Sequence, residues 1–310
     1  ASSKYPDRDF KHIKTILQGK RRDGDTTAWD AQMVHNPYIQ KFNGKYYLYY
    51  VGSYDPGEQP VGTPGAKLSK RNRVQQMQQI GVIEFTSFEE LIKGNFIRPD
   101  KPLLSAATRV KKENILFPSP EGTIAGADNI VVVNPAVTYR PTDKKYFLYF
   151  KGNWFDPVWK GVHGVAISDS PTGPFEVQKD IVFDIRMEDG KIASAEDPFV
   201  WYCKKYNCFF AVLKDFTGRI TGNEPSLALL QSADGIEWKK AANPTFLNKE
   251  LKLKNGSLIK LYHLERPFLL LDDQGLPQVF FGAATITTPV DKVITGTFNV
   301  QIPLKVKEIK

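Results

Sequence analysis

The sequence predicts an all-β fold, a five-bladed β-propeller, on three observations. A short apolar strand, a polar turn and a second apolar strand recur four times, each copy introduced by polar residues and a proline. The prolines are Pro37, Pro135, Pro198 and Pro267, so the copies repeat every 63 to 98 residues, the length of a propeller blade with insertions. Aromatic residues make up 12% of the chain and cluster in the repeated strands, where a pleated surface favours them. The four copies give four blades, and the two termini are expected to assemble the fifth.

The elements follow in order. Phe10 to Leu17 alternates like a strand and is expected to close the last blade. Thr27 to Val34 leads into the first copy, and an extended chain there puts Asp30 and Gln32 on the face of Asn36. That copy runs from His35-Asn36-Pro37 through the turn Asn43-Gly44 to Tyr46–Tyr50, with Ile80–Phe85 as a third strand. Ser87 to Gly94 has a serine cap, early acids and a closing glycine, so it predicts one short helix. The second copy joins Asn134-Pro135 to Tyr146–Phe150, the third joins Glu196-Asp197-Pro198 to Cys208–Leu213, and the fourth joins Glu265-Arg266-Pro267 to Gln278–Phe281. Each proline is expected at the first residue of its strand, where the missing N–H costs no ladder bond. Irregular inserts are predicted at residues 98–129, 151–163, 184–195 and 214–225; loops of that length are usually functional, and these should crowd the mouth of the channel. The whole chain, residues 1–310, reads as one catalytic domain whose first repeat starts near residue 30.

Composition narrows the partners. No stretch approaches the roughly 18 apolar residues of a membrane span. The net charge is +8, but Lys and Arg are scattered and no nucleic-acid motif occurs, so a nucleic-acid partner is not expected. A basic surface suits an anionic glycan, sulfated or bearing uronic acids. Cys203 and Cys208 flank a four-residue loop and should stand opposite each other across a hairpin; a bridge between them would imply an oxidising compartment. No second Cys or His pair has zinc-ligand spacing, so no metal site and no cofactor are predicted, although a cation in the central channel is compatible with the fold.

In a propeller the innermost strands start around one channel, so the residues before the four prolines should converge. Convergent carboxyls across a pocket can supply one group to give a proton and another to activate water. The candidates are Asp30, Asp197 and Glu265, with Asp30 as general base, Glu265 binding hydroxyls or sharing the acid role with a histidine, and Asp197 tuning the acid. Glu196 and Asp197 are neighbours on a strand, so only one faces the channel, and Asp197 holds the pre-proline place. Expected substrate-binding residues are His35, Asn36, Asp128, Asn134, His163, Glu196, His263 and Arg266, with Trp154 and Trp159 in loops as sugar-stacking rings.

The pre-proline polar residues, the hairpin Asn43-Gly44-Lys45-Tyr46-Tyr47-Leu48-Tyr49-Tyr50 and the Ser-Ala-Asp-Gly type of turn at Ser232–Gly235 together resemble the five-bladed propeller glycosidases of the broad group containing glycoside hydrolase families 43, 117 and 130. The resemblance covers nearly the whole chain and departs from family 43 at His35-Asn36, where an Asp usually precedes the proline. Family 117 is similar in its acids at the third and fourth repeats, matched by Asp197 and Glu265, with Asp30 the match for its first-blade Asp. Family 130 has a similar Glu-Asp-Pro element, matched by Glu196-Asp197-Pro198, but an Arg follows there where this chain has Phe199. The resemblance implies an exo-acting glycoside hydrolase that removes a terminal sugar from plant or algal polysaccharide fragments, outside the cytoplasm. A phosphorylase, which would gather Lys151, Arg219 and Arg266 on a phosphate, and a non-catalytic carbohydrate-binding propeller are the alternatives.

Overall fold

The computed structural model describes residues 1–155, 158–186, 188–222, 224–253, 255–287 and 294–305. Parts of the predicted inserts at 151–163, 184–195 and 214–225 therefore lie outside the described residues. Five antiparallel sheets account for the described strands, divided between two compact units, residues 14–182 and residues 1–13 with 183–310.

In the first unit β1 (Met33–Phe42), β2 (Lys45–Ser53) and β3 (Gln79–Phe85) form one meander, and β4 (Val133–Arg140), β5 (Lys145–Phe155), β6 (Trp159–Ser168) and β7 (Glu176–Val177) form another. Asn43 and Gly44 both take positive φ, the geometry that lets a two-residue turn match the strand twist. Helix α1 (Lys70–Gln76) precedes β3 and α2 (Phe88–Lys93) follows it. α2 is the helix the sequence predicts: Ser87 Oγ accepts from the Glu90 N–H at 3.2 Å, and Gly94 closes the helix at φ 88°. The core beside it gathers Trp29, Tyr50, Ile83, Phe85 and Leu91. Trp29 stacks on Tyr50 with ring centroids 5.5 Å apart, lying over Gly81, where a Cβ would come within 2.6 Å of the indole.

In the second unit β8 (Ala195–Cys203), β9 (Cys208–Asp215), β10 (Ser226–Ser232) and β11 (Lys239–Leu247) form a four-stranded meander. β12 (Glu250–Lys252) and β13 (Leu258–Lys260) make a small hairpin, and β14 (His263–Leu271), β15 (Pro277–Thr287) and β16 (Ile294–Pro303) a three-stranded sheet. The fifth sheet is thus the hairpin β12–β13 rather than an assembly of the termini. Residues 10–17 are not a strand; Lys11 alone bridges to Ser2, and Phe10 sits edge-on to Phe281 at 6.1 Å. Phe199 meets Phe268 edge-to-face at 4.9 Å, which packs β8 against β14.

The four repeats share one backbone device. Asn36, Asn134, Asp197 and Arg266 take φ of 49°, 55°, 55° and 56°. Around each the register slips, so Asn36-Pro37 oppose Tyr50 alone, Asn134-Pro135 oppose Phe150, Asp197-Pro198 oppose Leu213, and Arg266-Pro267 oppose Gly282. These are bulges, which tolerate a proline inside a strand, so the prolines do not begin the strands as the sequence reading expects. Left-handed φ suits Asn and Asp and is unusual for Arg266, and the proline that follows adds to the constraint. Each bulge re-aims the side chain before its proline.

Candidate functional site

Within each unit the re-aimed residues meet. In residues 14–182 the Asn36 amide donates to Asn134 Oδ1, joining β1 to β4. In the other unit Arg266 Nη1 lies 2.7 Å from Asp197 Oδ1, and the Arg266 N–H reaches Asp197 Oδ2 at 3.4 Å, joining β14 to β8. The Asp197 side chain is 3% exposed and that of Arg266 45%. Burial pushes the Asp197 carboxyl up to about 6, and Glu196 and Glu265 push the same way; the half-exposed Arg266 and Lys214 pull it down without offsetting the burial. A carboxyl so placed carries a proton into mildly acidic conditions.

Beside this pair, Glu265 Oε1 accepts from the Lys214 ammonium, and His263 Nδ1 faces the same oxygen at 3.2 Å. The Glu265 side chain keeps 28% of its surface exposed and His263 36%. Lys214 comes from β9, directly opposite Glu196 in register, and its ammonium also lies 4.2 Å from the Phe216 ring centroid. Lys214, Phe216, Lys249, Tyr262 and His263 line a cavity of about 220 Å³. Its floor is fixed by Asp215, wholly buried, whose Oδ1 accepts from the Thr217 and Gly218 N–H groups and Oδ2 from those of Ile220 and Thr221. A carboxylate, an imidazole, an ammonium and a buried carboxyl are therefore assembled in one unit, and groups of the first two types can give and take protons.

The remaining predicted residues fall into other settings. Residues 26–32 are turns and bends, not an extended strand, so Asp30 does not share the face of Asn36. Asp30 is wholly buried, its Oδ2 accepting from Tyr50 Oη at 2.9 Å and Arg98 Nε at 2.7 Å. His35 Nε2 lies 2.9 Å from the Gln78 amide nitrogen. His163 is buried on β6 opposite Lys151. Asp128 accepts from the Ala107 N–H at 2.8 Å, and Asn129 bonds to Thr108, Val110 and Asn153, so this pair shapes the loop that begins after α2. Trp154 and Trp159 stand at the ends of β5 and β6 rather than in a loop, because the two strands pair as far as Phe155 and Trp159. Trp154 Nε1 donates to Gly126 O at 2.7 Å, whereas Trp159 is 49% exposed. Glu196 is half-buried next to Asp197.

Lys214, Lys249 and Tyr262 escape the sequence reading. Lys214 has a signal in the repeat frame: Lys151 closes the equivalent apolar strand of the second copy and pairs with Val133 just as Lys214 pairs with Glu196. Among the described residues no group of three or more His, Cys, Asp or Glu side chains is placed to hold a metal ion, and no helix is long and apolar enough to cross a membrane.

The sequence matches no family model and no curated protein. Solved structures do match. A thermostable family-43 glycoside hydrolase superposes with a TM-score of 0.53 at 12% identity, over 90% of this chain and 74% of its own. An endo-1,4-β-xylanase from Bacteroides thetaiotaomicron superposes with a TM-score of 0.50 at 12% identity, over 89% and 72%. A family 117 glycoside hydrolase from the marine bacterium Zobellia galactanivorans gives a TM-score of 0.48 at 17% identity, over 89% of this chain and 62% of its own, so the chain spans about three fifths of that protein. The fold is that of the five-bladed β-propeller glycoside hydrolases, all-β as the repeats predict.

Proposed function

We propose that the protein is an exo-acting glycoside hydrolase that removes a terminal sugar from plant or algal polysaccharide fragments outside the cytoplasm, working without a cofactor. The observation that carries the reading is the cluster of Glu265 with His263 and Lys214, the last two of which line a cavity, in the same unit as the buried Asp197–Arg266 pair. Glu265 and His263 form the acid–base pair facing the sugar. Lys214 keeps Glu265 oriented, and Asp197 with Arg266 tunes the charge beneath it. Asp30, held by Tyr50 and Arg98 with no exposed surface, anchors the turn around Trp29 and takes no proton from substrate. A fold shared with a family-43 glycoside hydrolase supports the reaction class. The test is incubation with a panel of aryl glycosides and algal and plant oligosaccharides, with and without phosphate, followed by product analysis. Release of a free monosaccharide without phosphate is expected. Release of a sugar phosphate would favour a phosphorylase, and glycan binding without turnover a non-catalytic propeller.

A further inference from the structure

A cavity within residues 14–182 shares no lining residue with the cluster just assigned. It holds about 640 Å³, ample for a sugar unit. Helix α1 presents Asn72 and Gln75, β5 presents Asn153, and Lys67, Lys111 and Trp159 also line it; among the described residues the lining includes no carboxylate. Its walls are pinned. The Gln76 side chain donates to Asn114 O and accepts from the Leu116 N–H, each at 2.9 Å. Ile130, a β-branched residue, is held at φ 69° in the wall, with its N–H bonded to Thr108 O at 2.8 Å. Such a backbone outlier persists only where surroundings over-determine it, and it is commonest at functional sites. The Lys111 ammonium lies 4.7 Å from the Trp159 ring centroid and 4.8 Å from that of Phe155, with Glu113 the carboxylate whose field reaches it. A partly desolvated cation beside a half-exposed indole, ringed by amides, offers a charge partner, a stacking surface and hydroxyl partners together.

We propose that this cavity is a second glycan site that binds a sugar unit carrying a carboxylate or a sulfate, with Lys111 pairing the anion and Trp159 stacking on the ring. The choice of a glycan rests on the glycoside-hydrolase reading, but binding is measured separately from turnover. The experiment is isothermal titration of the full chain with trigalacturonic acid, a sulfated galactan oligosaccharide and uncharged xylotriose. Wild type, Lys111→Gln, Trp159→Ala, Lys67→Gln and Glu265→Gln are compared, each checked for an unchanged melting temperature. At least one acidic ligand should bind more tightly than xylotriose and weaken in about 0.5 M salt. Lys111→Gln should weaken it by about 10-fold, the value of one charge-assisted contact. Trp159→Ala should weaken it comparably, Lys67→Gln by a few-fold, and Glu265→Gln should leave it unchanged. The choice between uronate and sulfate follows from which acidic ligand binds. The proposal is overturned if neither acidic ligand binds, if xylotriose binds equally well, if Lys111→Gln has no effect, or if Glu265→Gln abolishes binding. Should Trp159→Ala fail to fold, the two lysine variants decide. Retained binding with no hydrolysis of any substrate would sink the enzymatic reading and leave this one standing.

Discussion

Replacing Asp197 by Asn isolates the cost of placing a carboxylate under the Glu265 cluster. Its folded-state value of about 6 lies above the 3.8 of an exposed aspartate, mainly because the side chain is buried. A gap of about 2 units corresponds to roughly 3 kcal/mol between the protonated and ionised forms. The sign follows from linkage: between the two values the folded chain holds a proton that the unfolded chain has released, so stability falls as pH rises. The contribution is complete below about pH 4 and lost as pH passes through about 6. Asp197→Asn removes this dependence while keeping an oxygen for the Arg266 N–H. Urea unfolding of both proteins at pH 4 and pH 8 should show wild type losing up to about 3 kcal/mol relative to the variant on going to pH 8. A stability difference that stays flat, or that moves towards wild type at high pH, would refute the burial argument and make the Arg266 pair the dominant effect.

Asp30→Ala strands Arg98, which is largely buried against it, and should cost about 3–5 kcal/mol of stability while the folded fraction keeps its turnover. Thermal denaturation and active-site-normalised rates check this, and a variant that is stable but inactive would restore Asp30 to the catalytic set. Cys203 and Cys208 pair directly across the β8–β9 hairpin, as the spacing predicts, yet both are free thiols, with the Cys203 thiol donating to Gln274 O at 3.4 Å. Denatured, unreduced protein should therefore titrate two thiols per chain; finding none would establish a bridge and an oxidising compartment.

The repeat was legible in the sequence because each copy combines an alternating strand, a turn with special φ requirements and a proline, all of which are local signals. The meeting of Asp197 with Arg266, and of Asn36 with Asn134, followed from that repeat. The placement of Asp30 did not, because Arg98, supplied from 68 residues away, decides it, and no local pattern announces such a partner. The apolar alternation at Phe10–Leu17 misled for the same reason: without a neighbouring edge to pair with, its only strand-like contact is the Lys11 bridge to Ser2, and Ile16 and Leu17 pack against the Trp29 cluster instead. Trp159 was singled out in the sequence as a candidate stacking ring, but the amides and Lys111 around its cavity come from α1, β5 and loops whose convergence is a tertiary fact.

The central claim is that Glu265, with His263, performs proton transfer during glycoside hydrolysis. Once a turned-over oligosaccharide is in hand, the decisive measurement is kcat for wild type and Glu265→Gln on it, with melting temperatures matched. Loss of an acid–base group typically costs about 10²- to 10⁴-fold in rate, so Glu265→Gln should fall by at least that order while still binding the sugar. Near-normal kcat in Glu265→Gln would contradict the account and move the search for the acid–base group to Glu196.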